Sequence, residues 1–290
     1  MNPLPLFRRS NNTTFGQSAM PSPFPPHFLD SPVGQEKPCR LGIVIPLKSR
    51  AAARYWPEVE KRLRATVASL RRQSSADWEA VIVGHEKPEL GHCLHPQVSF
   101  ITFDKPPPPP GPRGRITRTS QRHDKIAKKA FGMRWLAAKH AITHWLALDA
   151  DDLLHEHFVA TVSRMIPFDI AVVRSGYAYY PSLQRSRRLD RIDCFCGSTV
   201  LMSDRLRSDQ VGPDGQRDGA INHRNVDTYA AARGVRVHDY PGRGVAYVLG
   251  HGDNLYIPIG RRVRVWFESR FRARGDDAEF LRAFGSEGDC

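Results

Sequence analysis

Short apolar runs alternate with longer stretches of helical period along the middle of the chain. The run LGIVIPL, from Leu41 to Leu47, is rich in β-branched residues and ends at a polar loop, which predicts a buried strand. Apolar residues then recur every three or four positions through 59–70, which predicts a helix. Two further short apolar runs follow at 80–83 and 98–103. This part of the chain is therefore predicted to form a strand, a helix and two more strands.

A second long helix is predicted between residues 126 and 141, again from apolar spacing. The strand after it, Trp145 to Leu148, runs directly into the acidic sequence Asp149-Ala150-Asp151-Asp152. Later strands are predicted at 170–173, 198–202, 235–237 and 245–249. This alternation predicts an α/β fold, with a Rossmann-like, mainly parallel sheet and helices on both faces. Such sheets bind ligands beyond the carboxyl ends of their strands.

The two ends of the chain differ from the middle. Residues 1–38 are rich in proline, serine and asparagine without a lasting apolar period, which predicts a disordered or extended tail. Residues 39–258 contain the periodic segments and are expected to form one domain. Residues 259–290 mix arginines with Trp266, Phe267 and Phe271, and we interpret them as a basic, aromatic extension.

Composition narrows the class of protein only slightly. The 290 residues include 43 Lys and Arg against 30 Asp and Glu, and the formal net charge of +13 attracts polyanions. The basic residues are dispersed, and no zinc-finger or RNP-like motif is visible, so no specific nucleic acid is expected as a partner. Five scattered cysteines show neither a disulfide framework nor paired zinc-ligand spacing, which favours reduced thiols. No long apolar run or signal-like segment is visible, which predicts a cytoplasmic protein.

The acidic cluster at 149–152 predicts a metal site. Three carboxylates within four residues repel one another unless a cation or hydrogen-bond donors compensate their charge. Hard oxygen ligands select Mg²⁺ or Mn²⁺, which also bind substrate phosphates. The alternative is that Asp151 or Asp152 caps the helix predicted to follow the cluster.

Four segments together resemble a family 2 type glycosyltransferase of the GT-A fold. They are LGIVIPL, AVIVGHEKP, RHDKIAKKAFGMRWLAAKHAITHWLALDADD and VLGHGDN, and the resemblance spans residues 41–254. It implies metal-dependent, inverting transfer of a sugar from a nucleoside diphosphate to an acceptor hydroxyl. A glycan or a lipid-linked acceptor, as in surface polysaccharide or glycolipid synthesis, is the implied partner.

The resemblance also implies roles for individual residues. Asp149 and Asp151 match the DxD motif, which holds the metal ion and the donor diphosphate, with Asp149 serving both. His251 stands where related enzymes supply a histidine to the metal. Asp124 is the implied contact of the nucleobase and Lys125 that of a phosphate. A purely structural role stays open for each, with Asp124 as a helix N-cap and Lys125 as a solvated lysine.

Three further residues complete the implied donor and acceptor sites. Arg122 precedes Asp124 and belongs to the same nucleotide-binding group. Asp227, in Val226-Asp227, keeps the second position of an acidic pair that supplies the catalytic base, although a first-turn carboxylate of a helix is the alternative. Glu86 lies in the turn where the family carries an aspartate for the nucleotide, which leaves the base preference open.

Two other functions remain open from the sequence. Nucleotidyl transfer on a related fold also uses paired carboxylates, but Lys48-Ser49-Arg50 is not a glycine-rich phosphate cradle. A non-catalytic polyanion-binding protein would use the net charge of +13. The arginines and aromatic residues of 259–290 favour either peripheral association with the inner face of a membrane or a solvated helix face.

Overall fold

The computed structural model describes residues 39–111, 116–210, 220–250 and 277–285. The described residues belong to one compact unit, Gln35–Cys290. The predicted tail at 1–38, the boundary at 258 and most of the predicted extension lie outside the described residues. In the described part of the chain, no helix is long and apolar enough to cross a membrane.

Strands and helices alternate through the described residues. The strands are β1 (Leu41–Pro46), β2 (Trp78–Gly84), β3 (Val98–Thr102), β4 (His144–Ala147), β5 (Leu153–Leu154), β6 (Ile170–Val172), β7 (Ser175–Tyr180), β8 (Arg185–Leu189), β9 (Val200–Ser203), β10 (Val237–Asp239) and β11 (Arg243–Val248). The α-helices are α1 (Trp56–Arg71), α2 (Arg118–Lys139), α3 (Phe158–Met165), α4 (Val226–Ala231) and α5 (Asp277–Phe284).

Seven strands form the central sheet in the order β10-β6-β9-β4-β1-β2-β3. Every neighbouring pair is parallel except the two that involve β9, which runs antiparallel to β4 and β6. The prediction of an α/β fold with a mainly parallel sheet is therefore confirmed. The predicted strand at 198–202 begins two residues later than expected, because Gly197–Thr199 forms a 3₁₀ turn.

Helices cover both faces of this sheet, as predicted. Strand β1 is buried along its whole length, and its side chains alternate between the two faces. Ile43 and Ile45 share one apolar cluster with Leu63 of α1, whereas Val44 shares another with Met133 of α2. The regular three-and-four spacing of apolar residues therefore gave the correct faces of α1 and α2.

A second sheet, in the order β5-β11-β7-β8, was not predicted in full. Strand β8 has the sequence RSRRL, whose polar side chains hide the strand from a hydrophobic pattern. Helix α5 packs on this sheet through Phe280 and Phe284, both in contact with the ring of Tyr177. Residues 277–284 of the predicted extension are thus bound to the body of the protein.

The cysteines differ in state. Cys39, Cys194 and Cys196 are free thiols, as the composition suggested. Cys93 is disulfide-bonded, so the expectation of reduced thiols is wrong at this position.

Gly132 lets α2 approach the central sheet closely. A Cβ atom added at this glycine would lie 2.6 Å from Val44 Cγ1 and 2.9 Å from Val83 Cγ2. We expect Gly132→Val to lower the free energy of unfolding by about 1–3 kcal/mol, because the added methyl groups force the helix off the sheet. Urea denaturation measures this loss. Ala138→Ser, at an exposed position of the same helix, is the control and should change stability by no more than about 0.5 kcal/mol.

His155 is buried beside α5, with its ring edge-on to Phe284 at a centroid distance of 5.5 Å. Burial, aided by the neighbouring His157, lowers the pKa of His155 from 6.5 to about 4. As the pH falls from 6.5 towards 4, the unfolded chain takes up a proton at this histidine that the folded chain does not. We therefore expect stability to fall over this window by on the order of 3 kcal/mol through His155 alone.

Urea denaturation at pH 7 and pH 4.5, with His155→Gln beside the wild type, measures this contribution. The variant should show a shallower loss of stability between the two pH values, since glutamine does not titrate. His157→Gln, at an exposed position, should keep most of the wild-type loss. Equal losses in the wild type and His155→Gln would refute the assignment.

Candidate active site

A cavity of about 590 Å³ opens at the carboxyl ends of β1 and β4. These two strands are the point at which the strand order reverses, with β2 and β3 on one side and β9 on the other. Leu47 and Lys48, which follow β1, and Asp149, which follows β4, all line the cavity. The cavity therefore occupies the position at which sheets of this kind bind ligands.

The acidic cluster forms a tight turn at the edge of this cavity. Asp149, Asp151 and Asp152 each bring one carboxylate oxygen within 4.8 Å of the others. The amide of Asp152 donates to the carbonyl of Asp149 at 3.1 Å, which closes the turn. Helix α3 begins only at Phe158, with His157 as its N-cap, so the alternative that Asp151 or Asp152 caps it is wrong.

Asp152 points away from solvent and has its own hydrogen-bond donors. Its Oδ2 accepts from Ser198 Oγ at 2.6 Å and from Cys196 Sγ at 3.1 Å, and its Oδ1 accepts from the amide of Val248 at 3.4 Å. Complete burial and the charges of Asp151 and Asp149 raise the pKa of Asp152 well above its usual value. We therefore assign Asp152 to holding the turn in place.

Asp149 has an ionic partner on helix α2. Lys125 Nζ lies 2.5 Å from Asp149 Oδ1. Burial acts to raise the pKa of Asp149, but the charges of Lys125 and Lys129 outweigh burial and lower it. The pKa of Lys125 is raised, because its attraction to Asp149 outweighs the opposing effect of burial. Asp149 is therefore an anion in this site, and the alternative of a solvated Lys125 is wrong.

Gly197 and Ser198 lie against the acidic turn, next to Asp149 and Asp152. Ser198 Oγ accepts a hydrogen bond from the amide of Asp149 at 2.9 Å while it donates to Asp152. A Cβ atom added at Gly197 would lie 3.0 Å from Asp149 Oδ2 and 3.5 Å from Lys125 Nζ. The absence of a side chain at 197 therefore leaves room beside the Asp149 carboxylate.

The residues present fit a divalent metal ion of the Mg²⁺ or Mn²⁺ type. They offer clustered carboxylate oxygens, which are hard ligands, and open space at Gly197 next to Asp149 Oδ2. Because Asp152 is occupied by hydrogen bonds, Asp149 and Asp151 are the two carboxylates that would hold the ion. This pair is the one that the DxD resemblance implied.

Asp124 lies in the same cavity and is held on both oxygens. His85 Nε2 lies 2.9 Å from its Oδ1, and Lys128 Nζ donates to its Oδ2 at 2.7 Å. Buried Lys128 also donates to the carbonyl of Leu47 at 2.7 Å, which ties α2 to the loop after β1. Thr117 is the N-cap of α2, so the alternative that Asp124 caps this helix is wrong.

The other predicted site residues have separate locations. Arg122 is exposed and lines the cavity. Glu86 accepts a hydrogen bond from the amide of Arg50 at 3.1 Å and does not line the cavity. Asp227 is also outside the lining, with 66% of its side chain exposed, and Arg174 donates to it at 2.9 Å. His251 lies outside the described residues.

The structure adds residues that the sequence interpretation missed. Lys129 lies one turn after Lys125 on α2 and lines the cavity with His223 and Tyr247. The signal for Lys129 was present in the spacing of four residues, which places two lysines on one helix face. No comparable signal marks His223 or Tyr247, because each comes from a distant element and reaches the cavity only through the tertiary fold.

Comparison with known proteins gives no family assignment. No protein-family model matches the chain, and no curated protein matches it. Among solved structures, the chain is similar to the inositol-1-phosphate CTP transferase from T. maritima, with a TM-score of 0.44 and 13% identity over 83% of this chain and 99% of that one. It is also similar to Rv0371c from Mycobacterium tuberculosis H37Rv, with a TM-score of 0.36 and 10% identity over 74% of this chain and 91% of that one.

The space beside Gly197 provides a test of the metal site. We expect Gly197→Val to weaken Mn²⁺ binding by about 10–100-fold, because the new side chain fills the space next to Asp149 Oδ2. Electron paramagnetic resonance of free Mn²⁺ in a titration measures the affinity. Cys194→Ser, an exposed change in the same loop, should bind Mn²⁺ like the wild type. Unchanged affinity in a folded Gly197→Val protein would exclude an ion at this position.

Proposed function

We propose that the protein is a metal-dependent glycosyltransferase that takes a sugar from a nucleoside diphosphate donor. The observation that carries this proposal is the meeting of Asp149 and Asp151 with Lys125 and Lys129 in one cavity at the reversal point of the sheet. Carboxylates that can hold a divalent ion and ammonium groups that can bind an anion lie side by side there. A diphosphate bound to a metal ion matches both sets of charges.

Each part of the donor has residues suited to it. A bound Mg²⁺ or Mn²⁺, held by Asp149 and Asp151, would act as a Lewis acid that neutralises the departing diphosphate. The positive charge that Lys125 and Lys129 bring to the cavity would attract the donor phosphates. Asp124 lies one helical turn before Lys128 in the same wall, and its carboxylate can accept an N–H of the nucleobase in addition to its bonds to His85 and Lys128.

The acceptor that we propose is a hydroxyl of a glycan or of a lipid-linked glycan. The net charge of +13 favours approach to an anionic surface, where lipid-linked acceptors lie. Asp227 remains the predicted base for this hydroxyl. To act in this way it would have to leave Arg174, with which it now forms an ion pair.

A second candidate is nucleotidyl transfer to an acceptor that carries a phosphate. It is favoured by the excess of basic over acidic side chains among the described residues that line the cavity. Its acidic residues are Asp124, Asp149 and Asp151, whereas its basic residues are Lys48, Arg62, Arg118, Arg122, Lys125, Lys128, Lys129 and Arg224. Of the three acidic residues, Asp124 is held by His85 and Lys128, and Asp149 and Asp151 are the proposed metal ligands. Transfer to a phosphate needs no general base, since the nucleophile is already ionised, and basic residues bind its extra charge.

Calorimetric titration with a panel of nucleoside diphosphate sugars and nucleoside triphosphates, with and without Mn²⁺, tests the shared part of these candidates. We expect metal-dependent binding of at least one nucleotide to the wild type. Asp151→Asn should weaken it by on the order of 100-fold, because a ligand of the ion loses its charge. Asp190→Asn, at a largely exposed aspartate outside the cavity lining, should bind like the wild type.

Product analysis then separates the two reactions. Release of a nucleoside diphosphate from a sugar donor supports glycosyl transfer, whereas release of pyrophosphate from a triphosphate in the presence of a sugar phosphate supports nucleotidyl transfer. Absence of nucleotide binding, together with metal-independent heparin binding that survives Asp151→Asn, would reject both and support the polyanion-binding alternative.

A further inference from the structure

Two lysines on one face of α2 reach the cavity but differ in their partners. Lys125 and Lys129 are four residues apart, so their side chains leave the helix on the same side. Both line the cavity. The resemblance to glycosyltransferases implied a phosphate-binding role for Lys125 and assigned nothing to Lys129. The contacts of the two side chains indicate a different division of roles.

The charge of Lys125 is already compensated. Its Nζ lies 2.5 Å from Asp149 Oδ1. The other oxygen of that carboxylate, Oδ2, is the atom that would lie 3.0 Å from a Cβ at Gly197. The ion pair therefore holds the carboxylate with one oxygen on the lysine and the other beside the open space at Gly197. An ion-paired partner in this position orients a metal ligand.

Lys129 differs from Lys125 in this respect: among the residues that the structure describes, no carboxylate forms an ion pair with it. It is half-buried, and burial together with the charge of Lys125 lowers the pKa of Lys129 to about 8. The attraction of Asp149 favours the ammonium form of Lys129 but does not outweigh burial and the charge of Lys125. An anion in the cavity would add negative charge near Lys129 and favour the protonated form.

We propose that Lys129 is the phosphate-binding residue of the site and that Lys125 is a positioning residue that orients Asp149 for the metal ion. The identification of the phosphate with that of a nucleotide donor rests on the proposed function. The binding of an anion by Lys129 and the orientation of Asp149 by Lys125 do not, because they follow from contacts in this chain.

Two titrations of the full chain test the division of roles. Mn²⁺ alone probes the metal site, and inorganic pyrophosphate with saturating Mg²⁺ probes the anion site. Lys129→Met should weaken pyrophosphate binding at least about tenfold while Mn²⁺ affinity stays within about twofold of the wild type. Lys125→Met should weaken Mn²⁺ binding by about 10–100-fold. Lys129→Arg should restore most of the pyrophosphate affinity, since it keeps the charge.

Chemical labelling of the wild type gives an answer that does not depend on the folding of a variant. Acetylation by acetic anhydride at pH 8, mapped by mass spectrometry, should modify Lys129, and pyrophosphate with Mg²⁺ should protect it. Lys139, exposed at the end of the same helix, is the internal reference and should be labelled equally with and without pyrophosphate.

Unchanged pyrophosphate affinity in Lys129→Met, or no protection of Lys129, would overturn the assignment of the anion site. Mn²⁺ affinity that stays equal to wild type or rises in folded Lys125→Met would overturn the positioning role, because the lysine would then merely compete with the ion. If both lysine results hold but no nucleotide binds, the proposed function fails while the two assignments stand. Failure of the wild type to bind pyrophosphate would overturn the role of Lys129.

Discussion

The site depends on how the charges of three neighbouring carboxylates are compensated at the end of β4. Asp149 is stabilised as an anion by the ammonium group of Lys125 at 2.5 Å. Asp152 receives hydrogen bonds from Ser198 and Cys196 and has a raised pKa. The pKa of Asp149 is therefore lowered and that of Asp152 raised, although both aspartates lie in one turn. This difference leaves the Asp149–Asp151 pair suited to an ion and Asp152 suited to holding the turn.

The same compensation requires close packing of α2 on the sheet. Lys125 reaches Asp149 from this helix, and Gly132 removes the side chain that would otherwise collide with Val44 and Val83. Lys128 of the same helix adds a second connection, because its buried ammonium group donates a hydrogen bond to the carbonyl of Leu47 after β1. The packing of α2 on the sheet therefore determines the position of Lys125 beside the acidic turn and of Asp124 in the cavity lining.

Local patterns predicted the parts of the fold in which burial follows a regular period. Strand β1 and the apolar faces of α1 and α2 belong to this group, because their side chains face the core at fixed intervals. Strand β8 was missed because its sequence RSRRL carries no apolar alternation; its arginines instead pair with acidic residues of α5, such as Arg185 with Asp277 at 2.8 Å. A strand stabilised by ion pairs to a segment some 90 residues away leaves no local hydrophobic signal.

The residue order alone placed the acidic cluster after a buried strand and gave the chemistry that carboxylates at this spacing favour. It placed Asp124 and Lys125 just before the long helix predicted at 126–141, whereas in the structure this helix, α2, begins at Arg118 and includes both residues. The partner of each side chain depended on the tertiary fold: Asp124 is held by His85, Lys125 by Asp149, and Asp227 by Arg174. These partners come from separate elements of the chain. Charge compensation acts through distances of a few ångströms in space, and only the packing of helices and strands determines which distant residues come that close.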